Sequence, residues 1–72
     1  MGEYFECELK LNDKDETFVA MINLKILPRI GEHIGTIVKG SMHRFKVTDI
    51  WHWAGDKKTG HRITIYVNHT GK

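Results

Sequence analysis

With 72 residues, 40% of them apolar and 28% charged, the chain has room for one compact domain and is too apolar for a disordered one. Its single cysteine, Cys7, excludes an intramolecular disulfide, and a short domain without such staples fits a reducing, cytoplasmic setting. A formal charge of +2 permits contact with nucleic acid without requiring it.

The opening residues alternate acidic and apolar side chains and lack the basic start and continuous apolar stretch of a signal peptide. No apolar run approaches the roughly 20 residues that cross a bilayer, so no membrane association is expected. Charge is distributed unevenly. Residues 1–32 carry four basic and seven acidic side chains, a net of −3, and residues 33–72 carry seven basic and two acidic, a net of +5. Such polarity bears on partners, and two copies could pair their opposite halves as a homodimer.

In chain order, the first element is Phe5 to Leu11. Phe5, Cys7, Leu9 and Leu11 alternate with Glu6, Glu8 and Lys10, the period of a half-buried strand. Asn12 to Glu16 is a polar turn, and Thr17 to Ile26 resumes the alternation, placing Phe18, Ala20, Ile22, Leu24 and Ile26 on one face. Helical spacing of Ala20, Met21, Leu24 and Leu27 competes over this stretch, but the β-branched content and unbroken period of two favour a strand. Pro28 ends it, having no backbone donor. A short strand from His33 to Lys39 follows, then a turn at Gly40 to His43. Arg44 to Trp53 is a strand rich in β-branched and aromatic residues, and Ala54 to Gly60 is a polar loop tipped by Lys57 and Lys58. His61 to Asn68 alternates once more, with Ile63, Ile65 and Val67 on one side.

Five short strands and no helix make a core only by curling the sheet onto itself, which also hides its edges. The expected architecture is all-β: one domain over 1–72, a five-stranded antiparallel, partly open SH3-like barrel, with an OB-like barrel as the alternative. Leu27-Pro28-Arg29-Ile30-Gly31-Glu32-His33-Ile34, followed by Phe45-Lys46-Val47-Thr48-Asp49-Ile50, resembles short SH3-like β-barrel proteins of bacteria and their phages. The likeness lies in turn chemistry over about a third of the chain. It implies the fold and carries no functional residues.

Trp51-His52-Trp53 is the most informative feature for function. Strict alternation from Phe45 would bury Asp49 unpaired, at a cost of several kcal/mol. A bulge near Thr48 and Asp49 avoids this and lets Phe45, Val47 and Ile50 share the core face. The expected register sets Ile50 opposite Ile63, His52 opposite His61 and Trp51 opposite Arg62, with Trp53, Tyr66, Lys46 and Thr64 joining Trp51 outside. Exposed aromatics among cations suit single-stranded nucleic acid, where bases stack and Lys and Arg follow the phosphates, and they also suit protein contacts. The competing account has Trp51, Trp53 or both closing one end of the barrel.

Other candidates are thinner. His33, His43, His52, His61 and His69 show no zinc-ligand spacing, so no metal or other cofactor is expected. Ser41, His43 and Asp49 form no triad pattern, and Asp13, Asp15 and Glu16 lack the rest of a calcium loop. Gly31, Gly35 and Gly40 fit turns rather than a phosphate loop. The chain therefore reads as a non-catalytic binding module. Nucleic acid is the favoured ligand and Trp51, Trp53, Arg62, Tyr66, Lys57 and Lys58 the expected contacts. A protein-interaction or inhibitor domain, phage-encoded, is the alternative.

Overall fold

The computed structural model describes residues 4–55 and 62–70. Within them the alternating segments become five strands: β1 (Phe5–Leu11), β2 (Phe18–Leu24), β3 (His33–Val38), β4 (Ser41–Trp53) and β5 (Arg62–His69). They form one sheet in the order β2-β1-β5-β4-β3. It curls until it is nearly closed into a barrel with one unsealed seam. No helix of the described residues is long and apolar enough to cross a membrane.

The expected antiparallel pairing holds for β1–β2, β3–β4 and β4–β5, whereas β1 and β5 run parallel. Topology requires this. Strands joined by short connections alternate in direction, and a ring built from an odd number of alternating strands must contain one parallel pair of neighbours. The chain places that pair where its first and last strands meet. β5 thereby gains a neighbour on each side, while β2 and β3 keep the two outer edges.

The connections follow local chemistry. β3 turns into β4 through Lys39 and Gly40 alone, since Val38 already pairs with Ser41. Both turn residues have positive φ, 51° and 83°, as a two-residue type I′ hairpin needs. β4 consequently begins at Ser41 rather than Arg44. Between β2 and β3, Gly31 (φ 97°) lets the backbone bend so that its N–H reaches Val47 O at 2.9 Å, and Val47 N–H returns to Glu32 O at 2.8 Å. The Glu32 carboxylate accepts Arg29 N–H at 2.8 Å, which closes the turn after Pro28.

Two bulges set which residues face inward. On β4 the pairing shifts between Val47 and Asp49, so the bulge expected near Thr48 is present. Beyond it Ile50 pairs with Ile65, Trp51 with Thr64, His52 with Ile63 and Trp53 with Arg62. This corrects the expected register by two residues on β5. On β2, Leu9 pairs with Ala20 but Lys10 with Phe18, leaving Val19 as an extra residue. Val19 packs against the core and Phe18 turns outward at 53% exposure, so the run expected to place Phe18 inside is broken by one residue. Ile26 lies past the end of β2 and is exposed.

The core is Cys7 and Leu9 of β1, Ile34 of β3, Phe45 and Val47 of β4, and Ile63, Ile65 and Val67 of β5. Ile22, Leu24, Leu27, Val38 and Ile50 close around it. Burying each such side chain contributes about 1.5–3 kcal/mol. Cys7 is fully buried, and burial, with Glu6 second, pushes its thiol above the usual range. It is a packing residue and a poor nucleophile.

Candidate binding groove

The outward side chains of β1, β5 and β4 lie side by side, because Glu8 pairs with Thr64, Lys10 with Tyr66, and Thr64 in turn with Trp51. They floor an open groove of about 610 Å³, within the range of small-molecule sites. Trp51 and Trp53 stand along its β4 side. The turn after β1 folds over the other end through Asn12, Asp13 and Glu16.

That turn is pinned by its own sequence. Both carboxylate oxygens of Asp13 accept from Thr17, from the backbone N–H at 3.1 Å and from the hydroxyl at 3.0 Å. These bonds, the backbone one first, hold the Asp13 carboxyl below its usual range. Glu16 adopts positive φ, 48°, and its carboxylate accepts the Tyr66 hydroxyl at 2.8 Å. That hydrogen bond is the chief reason the Tyr66 phenol is raised above its ordinary value, with burial and the nearby carboxylates adding to it. Asn12 donates to the Thr48 hydroxyl at 3.1 Å, and Thr48 donates to Tyr66 O at 3.1 Å. The bulge of β4 is thus tied to the turn and to β5.

The two indoles are stacked, with centroids 5.5 Å apart and planes 18° from parallel. They remain 48% and 45% exposed, so the account in which they close the end of the barrel does not apply. Their N–H groups are engaged inside the chain. Trp51 Nε1 donates to Asp49 Oδ2 at 2.9 Å, and Trp53 Nε1 donates to the Thr64 hydroxyl at 2.9 Å, which donates to Glu8 Oε1 at 3.3 Å. Asp49 also accepts Ile50 N–H at 2.9 Å. Asp49 therefore points outward and is well partnered, which the bulge makes possible. Thr64 is 97% covered although it faces the groove, because the aromatic wall and Glu8 lie over it.

Of the expected contacts, Trp51, Trp53, Arg62 and Tyr66 come together here. Lys57 and Lys58 lie outside the described residues, as does His61. Lys46 is outward but belongs to another part of the surface, where it pairs with His33 of β3 and Asn68 of β5. The groove's carboxylates were missed. Glu8, Asp13, Glu16 and Asp49 face Lys10 and Arg62, so the lining described carries a net charge of −2. Glu8 and Lys10 form an ion pair at 3.9 Å. The alternation of β1 already set Glu8 outside. Only the parallel β1–β5 pairing brought it beneath the indoles.

Among the described residues no group of three or more His, Cys, Asp or Glu side chains is arranged to hold a metal ion. His43 Nδ1 and His69 Nε2 lie 3.0 Å apart, sharing a hydrogen bond at the far end of β4 and β5, with Phe45 edge-on to His69. No family model matches the chain, and neither does any curated protein or solved structure.

Proposed function

We propose that this domain is a non-catalytic interaction module that docks a partner protein on the outer face of β1, β5 and β4. One observation carries the reading: two stacked indoles lie at the surface with their polar edges already satisfied, leaving apolar rings for a partner to cover. Tryptophans in such positions are typical anchors of protein interfaces. Their hydrogen bonds to Asp49 and Thr64 reduce the entropy that binding would otherwise have to remove.

The charge of the described groove lining favours a protein partner over nucleic acid. A strand stacking its bases on Trp51 and Trp53 would bring phosphates beside Asp49, Glu8 and Glu16, and like charges at such range are repulsive. Among the described residues, Arg62 opposite Trp53 and Lys10 opposite Tyr66 are the cations of the lining that offset this.

Selection of random peptides on the immobilised domain tests the reading. Enriched peptides should bind the native chain and lose at least tenfold in affinity for W51A/W53A, with W51A alone as the reporter if the double variant loses its sheet signal. Enrichment indifferent to both indoles would overturn it. So would saturable, salt-sensitive binding of a single-stranded oligonucleotide that depends on them.

A further inference from the structure

We infer that the groove receives an arginine side chain of the partner, its guanidinium lying against the indole wall and among the carboxylates of Glu8, Asp49 and Glu16. The inference rests on the docking reading above and names the chemistry of what docks.

Three features of the groove point the same way. First, the ring faces are what Trp51 and Trp53 offer, since each N–H donates within the chain. A ring face carries negative potential and attracts a cation, most strongly for tryptophan. Second, the acceptors polarising these indoles are themselves anionic. Asp49 accepts the Trp51 N–H directly, and Glu8 accepts the Thr64 hydroxyl, whose oxygen in turn accepts the Trp53 N–H. Electron density is thereby pushed toward the rings, and two negative charges sit at their margins.

Third, among the described residues the groove lining carries more carboxylates than cations. Lys10 is engaged with Glu8 and Arg62 lies opposite Trp53, yet four carboxylates line the same space. An incoming cation relieves that excess and an incoming anion increases it. Arginine suits the site better than lysine. Its planar guanidinium stacks on an indole and also presents several N–H donors in its plane to carboxylates, whereas an ammonium is a compact, strongly hydrated charge.

The experiment uses tryptophan emission of the full chain titrated with two capped hexapeptides, Gly-Gly-Arg-Arg-Gly-Gly and the same peptide with citrulline in place of arginine. Citrulline keeps the shape and loses the charge. The arginine peptide should bind saturably and at least fivefold more tightly than the citrulline peptide, and added salt should narrow that difference. Glu8→Gln combined with Glu16→Gln keeps the hydrogen-bond acceptors and should weaken the arginine peptide at least fivefold while the β-sheet circular-dichroism signal shows the domain still folded. Equal affinity for both peptides, no binding of the arginine peptide, or indifference to the two substitutions would overturn the inference. The docking reading fails separately. If selected peptides need Trp51 and Trp53 but lack basic residues, docking stands and the arginine assignment falls. If no selected peptide needs the indoles, both fall.

Discussion

Tyr66 and Asp13 hold the two ends of the groove's turn, and their protonation works in opposite directions. The Tyr66 phenol is raised because its proton is held by Glu16. Its contribution is complete below the unfolded value, about 10, and is lost as pH rises through the folded one. The Asp13 carboxyl is lowered by Thr17, so its contribution is complete above about 4 and is lost as pH falls through its folded value. Tyr66→Phe is therefore expected to flatten the alkaline limb of a stability-versus-pH curve and leave the acid limb in place, while Asp13→Asn does the reverse. Denaturant midpoints across pH 2 to 11 check both signs; one variant flattening both limbs would contradict the assignments. The indoles report the charge around them more directly. Half exposed and bordered by carboxylates, they should be quenched by caesium more and by iodide less, each relative to free N-acetyltryptophanamide with the same quencher at matched ionic strength. The opposite ratio, with iodide enhanced and caesium reduced relative to that reference, would mean that the groove is positive in solution.

Within β4 the bulge decides which face every later residue takes. Thr48 and Asp49 together oppose Tyr66, so a plain strand lacking Thr48 would still pair Val47 with Val67 and Ile50 with Ile65. Deleting Thr48 should therefore preserve the fold, losing the added twist and the hydrogen bonds to Tyr66 O and Asn12. Inserting one alanine between Asp49 and Ile50 shifts Ile50, Trp51 and Trp53 by one place. It sends an indole toward the core and Ile50 to water. The insertion should lower the melting temperature more than the deletion does, and thermal scans of the two variants measure this. A deletion as damaging as the insertion would show that the bulge is needed for folding as well as for facing. β2 uses the same device at Val19, where the extra residue turns Phe18 away from the interior.

Across the whole molecule, stability should follow neighbour strands rather than hydrophobicity. Ile65 is fully buried on β5, flanked by β1 and β4, whereas Ile37 is 64% exposed on the edge strand β3. Ile65→Ala is expected to cost about 2–5 kcal/mol, and Ile37→Ala to stay within about 0.5 kcal/mol. Urea denaturation of each variant decides it, and comparable losses would mean that β3 packs more deeply than its exposure indicates. The uneven charge of the chain also becomes spatial. Glu8, Asp13 and Glu16 of the N-terminal half converge on the groove, while Arg44 and Lys46 face outward from the β3–β4 pair, opposite Gly35 and His33.

What the residue order settled alone was local. Period-two alternation marks the strands, Pro28 and Gly31 mark a bend, and the misfit of Asp49 betrays a bulge, because each follows from sterics or burial within a few residues. The register of β4 on β5 and the parallel contact of β1 with β5 are different in kind. They join residues as far apart as Glu8 and Thr64, and period-two patterns match equally well after any slip of two. Closure of the barrel chose among those slips by packing Leu9 and Ile65 together. The same closure set carboxylates under the tryptophans, where one-dimensional charge counts had pointed to a basic surface.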